Sequence, residues 1–261
     1  MQLFNLEGKI AIVTGGYGHL GSAMVRALAI AGAKVIVAGR SKDKYESKFT
    51  TDEKKQLVFM PIDITQLESI QSLFDKVFKE FGRIDILVNN AHTARGSSQE
   101  KMDDADWAYT MDGVVGSVHR CIKAVLPIMK NQQSGKIINI TSMYGMVSPD
   151  FSLYKGDNCE MYTNPPHYGA AKAAMNQVTR YFAVLLGQHN VQVNGIAPGP
   201  FPKPEIQTAN PKFVERLSCK NPLNRIGKPD DLAGVTLLLS SSASDFITGQ
   251  IIQVDGGWTI W

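Results

Sequence analysis

The stretch Thr14-Gly15-Gly16-Tyr17-Gly18-His19-Leu20-Gly21 sets four glycines in eight residues, between an apolar run and a helical pattern. Lys9 to Thr14 (KIAIVT) is a β-branched strand run, and Leu20 to Ala31 carries apolar residues on a helical period until Gly32. In that setting Gly16-x-Gly18-x-x-Gly21 is the glycine spacing of a dinucleotide-binding turn. Its glycines permit positive φ and close backbone approach, while the following helix offers unpaired N–H groups to a pyrophosphate. The competing reading is a tight turn without a ligand, and the rest of the chain has to choose.

Working outward, Lys34 to Ala38 and Leu57 to Ile62 are further strand runs. Ile70, Leu73, Phe74, Val77, Phe78 and Phe81 trace a helical stripe ending at Gly82, and Ile84 to Val88 is a fourth strand. A long helix up to Met129, a strand at Lys136 to Thr141 and a helix from about His167 to Leu186 follow. A strand at Val191 to Ile196, a helical region from Asp230 to Leu239 and a strand at Gln250 to Val254 complete the pattern. Strands that are apolar throughout predict a sheet covered on both faces. The expected fold is therefore α/β, a Rossmann-type doubly wound parallel sheet in one domain over residues 1–261. Two stretches stand outside the alternation, at about 143–166 and 198–222. Both follow the carboxyl end of a strand, where such sheets place ligands, and both are expected to be substrate loops.

The bulk composition excludes several classes. The 261 residues carry 27 basic and 24 acidic side chains, a net +3, with no basic run, so neither nucleic acid nor a membrane surface is an expected partner. Cys121, Cys159 and Cys219 form no metal-spaced pair and no disulfide framework, which suits a reducing compartment. The opening MQLFNLEGKI lacks a signal-peptide pattern, and no apolar run approaches a membrane span. The expectation is a cytoplasmic protein with a small-molecule substrate and no metal.

An acidic residue about 20 positions beyond the glycine turn would bind the adenosine ribose hydroxyls. Here the second strand ends in Ala38-Gly39-Arg40-Ser41-Lys42, without a carboxylate. Gly39 leaves room for a 2′-phosphate and Arg40 can grip it as a bidentate fork, so NADP(H) is favoured over NAD(H). Further on, Tyr168 and Lys172 are spaced i, i+4 at a helix start, on one face. A lysine cation one turn away lowers a phenol's pKa, and such a tyrosine can move a proton at a carbonyl oxygen while a nicotinamide moves the hydride. Ser142, delivered by the strand before, can hold that carbonyl, or merely bond local backbone.

Together these residues resemble the single-domain branch of the short-chain dehydrogenase/reductase family, nearly end to end. The motifs run from Thr14–Gly21 through Asp63 in IDIT, Asn89-Asn90-Ala91, Ser142 and Tyr168-x-x-x-Lys172. NGIAPGP at Asn194 to Pro200 and GQIIQVDGG near the carboxyl end follow in the family's order. The resemblance is to sugar-modifying, gluconate-dehydrogenase-like members, and it implies NAD(P)-dependent interconversion of an alcohol and a ketone. By it, Tyr168 is the acid/base, Ser142 orients the carbonyl, and Lys172 binds the nicotinamide ribose and lowers the tyrosine pKa. Gly15, Tyr17, Gly18, His19, Leu20, Gly21, Arg40, Ser41, Asp63, Ile64, Asn90, Ala91, Pro198, Gly199 and Phe201 would join Tyr168 and Lys172 along the cofactor. A homo-oligomer, dimer or tetramer, built on the Tyr-x-x-x-Lys helix and the carboxyl-terminal segment, is also implied.

Four departures from the family pattern stand out. His19 occupies a usual glycine position, giving the Gly-x-x-Gly-x-x-Gly arrangement of a longer, sugar-nucleotide-modifying branch, and His92 follows Asn-Asn-Ala where glycine is usual. The family's water-holding asparagine is missing, since counting back from Leu126-Pro127 reaches Val114. The Ser142–Tyr168 interval is about twice the usual one, and its extra residues, Ser148 to His167, include Asp150, Lys155, Asp157, Asn158 and Glu160. A polar loop of that kind is expected as a lid over a sugar, sugar acid or polyol, with an oligomer contact as the competing role. The alternative activities are 3-oxoacyl-[acyl-carrier-protein] reductase and, in another class, a non-catalytic nucleotide-binding regulator.

Overall fold

All seven strand runs become strands, each paired parallel to its neighbours. The computed structural model describes residues 2–95, 102–156 and 163–261. The strands are β1 (Ile10–Thr14), β2 (Lys34–Gly39), β3 (Leu57–Pro61), β4 (Ile86–Asn89), β5 (Gly135–Ile140), β6 (Val191–Pro198) and β7 (Ile251–Val254). They form one sheet in the order β3-β2-β1-β4-β5-β6-β7. The chain moves outward in one direction to β3, then returns to start β4 on the other side of β1. The β1/β4 junction is thus the switch point, where the carboxyl ends of two strands open a crevice.

Side chains alternating across β1 explain the two-sided burial. Ile10 and Ile12 enter one core with Ile70, Phe74, Val118, Ile122, Met175 and Leu186. Ala11 and Val13 enter the opposite core with Met24, Val25, Leu28 and Leu239. The first core is covered by α3 (Leu67–Phe81), α5 (Ser117–Gln132) and α6 (Pro166–Gly187); the second by α1 (Gly21–Ile30) and α9 (Ala233–Ser240). Burying each such Val, Leu, Ile or Phe stabilises the fold by about 1.5–3 kcal/mol. The stripe on α3 ends at Gly82, whose φ of 73° makes the left-handed helix stop.

Three helices lie outside the sequence pattern. The helix α2 (Lys42–Lys48) buries only Tyr45 and is started by the Ser41 hydroxyl, which accepts the Lys44 N–H. The stretch 198–222, expected as a loop, holds α7 (Pro204–Ala209) and α8 (Pro211–Cys219). The same prolines that suggested a loop occupy the first positions of these two helices, where a missing N–H costs nothing. One further helix, α4 (Asp104–Met111), runs into α5 through a π-turn at Asp112–Gly116. Among the described residues no helix is long and apolar enough to cross a membrane.

Candidate active site

The crevice at the switch point is fastened by Thr14. Its hydroxyl accepts the N–H groups of Asn90 and Ala91, both at 3.0 Å, and donates to the Val88 carbonyl. The Asn90 amide in turn donates to the carbonyls of Thr14 (2.9 Å) and Gly15 (3.1 Å). The loops after β1 and β4 are therefore tied to each other by hydrogen bonds. Gly15 has a φ of 63°, and a β-carbon on Gly21 would run into the Gly15 carbonyl. This close seating brings the start of α1 against the loop, a cradle that fits a pyrophosphate.

Tyr17 does something the sequence did not foretell. Its ring lies across Gly39, where a β-carbon would collide with it, and its hydroxyl accepts the Ser41 N–H at 3.0 Å. The room assigned to a 2′-phosphate beside Gly39 is therefore taken by the Tyr17 ring, because glycine presents nothing to keep the ring away. Arg40 is exposed at the strand end. Asp63 accepts the Thr65 N–H (3.0 Å) and hydroxyl (2.7 Å), which hold its carboxyl below the usual range, with Arg40 adding a smaller pull. The Ile64 side chain is buried in the core, and its carbonyl accepts from Arg120.

The opposite lip comes from the end of β6. Pro198 pairs with Val254, Gly199 donates to the Val254 carbonyl at 3.0 Å, and the Phe201 ring packs on Gly227. The His19 imidazole reaches toward this lip and lies against the Phe201 backbone. Partial burial first, then the Lys203 and Lys48 cations, hold it below its ordinary pKa, against the Phe201 backbone and Glu205. Its Nε2 is buried and has no partner. A buried polar nitrogen left without a partner beside a glycine cradle fits a bound polar cofactor there.

Ser142, Tyr168 and Lys172 are brought together on the other wall. The Ser142 hydroxyl accepts the Tyr144 N–H at 3.1 Å, the local bond foreseen as the competing role, and this leaves its proton free to donate elsewhere. Lys172 is buried, forms a 2.7 Å bond to the Ile140 carbonyl, and lies 5.7 Å from the centre of the Tyr168 ring. Burial drives its pKa down to about 7. Burial also holds the Tyr168 phenol above its ordinary value, partly offset by Ser142. In this structure desolvation, rather than the lowering expected from Lys172, governs the phenol. A lysine with a pKa near 7 carries only part of a charge at neutral pH.

His92, in the position of the family's glycine, has its ring centre 6.0 Å from that of Tyr168. It is exposed beside Tyr168, yet desolvation by the surrounding protein first and Lys172 second hold it well below its usual pKa. The counted position of the missing asparagine, Val114, is fully buried within the π-turn. The carbonyl beside it, of Gly113, takes the Thr93 N–H and the Ser117 hydroxyl.

The long interval after Ser142 is structured where it is described. A short 3-10 turn at Phe151–Tyr154 buries Tyr154 against Phe213 of α8, with ring centres 5.3 Å apart. The hydroxyls of Tyr144 and Tyr154 meet at 2.6 Å. Asp150, read as part of a polar loop surface, pairs with Lys220 at 3.1 Å just beyond α8, and Arg216 donates to the Leu153 carbonyl. Met143, Tyr144, Tyr154, Phe213, Leu217 and Trp258 make a small third core, and Tyr168 packs on it. Lys155 is exposed, while Asp157, Asn158, Glu160 and Cys159 lie outside the described residues. A separate cavity of about 490 Å³ lies between Phe201, Asn221, Arg225 and Asp255, and none of Ser142, Tyr168 and Lys172 lines it.

Doubly wound sheet, glycine loop and serine–tyrosine–lysine cluster together define the class, an NAD(P)-dependent oxidoreductase. A family model described as "Enoyl-(Acyl carrier protein) reductase" matches residues 18–259. The chain belongs to the short-chain dehydrogenase/reductase family. It is 34% identical over 263 residues to the 2-dehydro-3-deoxy-D-gluconate 5-dehydrogenase of Formosa agariphila, covering 98% of this chain and 95% of the relative. It is 32% identical over 259 residues to the 3-oxoacyl-[acyl-carrier-protein] reductase FabG of Thermotoga maritima, covering 98% and 99%. The solved gluconate 5-dehydrogenase of Burkholderia cenocepacia, in complex with NADP and tartrate, superposes with a TM-score of 0.87 at 29% identity, over 100% of this chain and 98% of that one.

Proposed function

We propose that the protein interconverts a secondary alcohol and a ketone on a carbohydrate-like substrate, a sugar, sugar acid or polyol, and uses NADP(H) in preference to NAD(H). The observation that carries this reading is the gathering of Ser142, Tyr168 and Lys172 beside the switch-point cleft, with Lys172 5.7 Å from the Tyr168 ring. The glycine loop would hold a nicotinamide cofactor, which would supply or accept the hydride. Tyr168 gives its phenolic proton to the carbonyl oxygen, or takes the proton of the alcohol in the reverse direction. Ser142 donates to that oxygen with the proton its Tyr144 contact leaves free. Lys172 binds the ribose, and in its protonated form it stabilises the phenolate.

The sugar-acid reading draws support from the named activity of the Formosa agariphila relative and from the gluconate 5-dehydrogenase fold match. Arg40 and the lack of a carboxylate at the end of β2 support NADP(H), although the Tyr17 ring fills the space beside Gly39. A carrier-protein reductase is the second reading, favoured by the Thermotoga maritima relative. A homo-oligomer in the cytoplasm completes the proposal. The test is a panel of sugars, polyols, sugar acids and 3-oxoacyl thioesters read by NADPH absorbance. Turnover confined to the thioesters would replace the carbohydrate reading, and tighter NADH than NADPH binding would reverse the cofactor preference. Tyr168→Phe should lower kcat by about 10²–10⁴-fold, the range for a lost general acid/base, while the nucleotide Kd holds.

A further inference from the structure

We propose that Tyr154 is a positioning residue for the reaction: through Tyr144 it holds the Ser142 hydroxyl in place beside Tyr168. This rests on the reading of Ser142, Tyr168 and Lys172 as the reacting cluster. It gives the long interval between Ser142 and Tyr168 a part in turnover. The chain leaves β5 at Ile140 and turns at once, because Ser142 caps a 3-10 turn over Met143–Gly145. The Ser142 hydroxyl accepts the Tyr144 N–H at 3.1 Å, so one bond sets both the serine side chain and the placing of Tyr144.

That turn lies directly on the helix that carries the other two groups. A β-carbon on Gly145 would come within 2.9 Å of the Lys172 carbonyl oxygen, and one on Gly169 within 2.9 Å of that of Tyr144. The Asn176 amide donates to the Gly145 carbonyl at 3.2 Å. This seating ties the backbone of the turn to α6. The Tyr144 side chain leaves the turn for the third core, where its hydroxyl meets that of Tyr154 at 2.6 Å. Both tyrosines are buried, and at that depth a hydroxyl without a partner is costly. Tyr154 is itself fastened to α8. Its ring packs on Phe213 at 5.3 Å, the neighbouring Leu153 carbonyl accepts from Arg216, and Asp150 pairs with Lys220. Thus α8 is the anchor, Tyr154 the link, and Tyr144 the arm that reaches Ser142.

The experiment compares wild type, Tyr154→Phe and the double variant Tyr144→Phe/Tyr154→Phe. Kinetics use NADP(H) with the fastest substrate from the panel of sugars, polyols and sugar acids, and hydrogen exchange is read on the peptide 141–147. Tyr154→Phe should lower kcat and kcat/KM together by about five- to tenfold, the weight of one hydrogen bond felt in the transition state. KM and the NADPH Kd should hold, and exchange at 141–147 should quicken. The double variant leaves neither hydroxyl unpaired and should recover most of both losses. A brace that only stabilises α8 would lower the melting temperature and leave kcat per folded molecule at the wild-type value, which overturns the proposal. So does a raised KM at constant kcat, which would assign Tyr154 to the substrate, or a double variant no better than the single one. A wild type that turns over no member of the panel removes the carbohydrate reading by itself. Exchange at 141–147 then decides the positioning role, and an unchanged rate in Tyr154→Phe refutes it.

Discussion

Lys172 keeps an amino group inside the protein with a backbone carbonyl as its hydrogen-bond acceptor. Its pKa falls from 10.5 to about 7, because burial penalises the charged form. Between those values the unfolded chain holds a proton that the folded chain has released, so this group's contribution to stability rises with pH across that window. Below about 7 the full cost of burying the ammonium is present. Wild type should therefore gain stability relative to Lys172→Met as pH rises from 7 toward 10, read as the difference between their melting temperatures. A difference that stays flat with pH would mean the lysine is not desolvated in this way. The pairing of Tyr168 with Lys172 was legible because i, i+4 neighbours meet by local helix geometry. The posture of Tyr17 over Gly39 and the approach of His19 to Phe201 were not, since each joins loops that the sheet, not the sequence, makes neighbours.

At the scale of elements, the described part of the segment after Ser142, up to residue 156, braces α8. Tyr154 fills the space between Tyr144 and Phe213, while Asp150 and the Leu153 carbonyl hold Lys220 and Arg216. The Tyr144–Tyr154 hydroxyl contact is buried, so Tyr154→Phe should cost about 1 kcal/mol and leave the Tyr144 hydroxyl short of a partner. The loss should be visible as faster amide exchange across Pro211–Cys219; unchanged protection there would show that the brace contributes nothing to α8. Strands were legible because two-sided burial writes unbroken apolar runs, as in KIAIVT. The helices α2, α7 and α8 were harder. The first has one buried side chain, and the others begin at Pro204 and Pro211, residues that read equally as loop breakers.

For the molecule as a whole, the doubly wound parallel sheet and the placing of ligand loops at the carboxyl ends of strands followed from the strand–helix alternation. The strand order came from the structure. Its outer surface is less predictable, because an exposed apolar residue has no partner in its own chain to mark it. On α6, Tyr181 is 62% exposed and Val184 84% exposed, although the opposite face of the same helix carries Tyr168 and Lys172. An apolar helix face turned outward suits a second copy of the chain. Val184→Asp should shift the mass measured by light scattering toward the monomer; an unchanged mass would move the interface elsewhere. The π-turn at Asp112–Gly116 carries one residue more than an α-turn of the same rise, so it acts as a phase joint. One residue is about 100° of helical rotation. A single continuous rod is thereby divided into two compass bearings. Its first half turns Trp107 toward His167 and Thr110 toward the Arg95 backbone, near the cleft, while its second half keeps Val118, Ile122 and Val125 aimed into the sheet core.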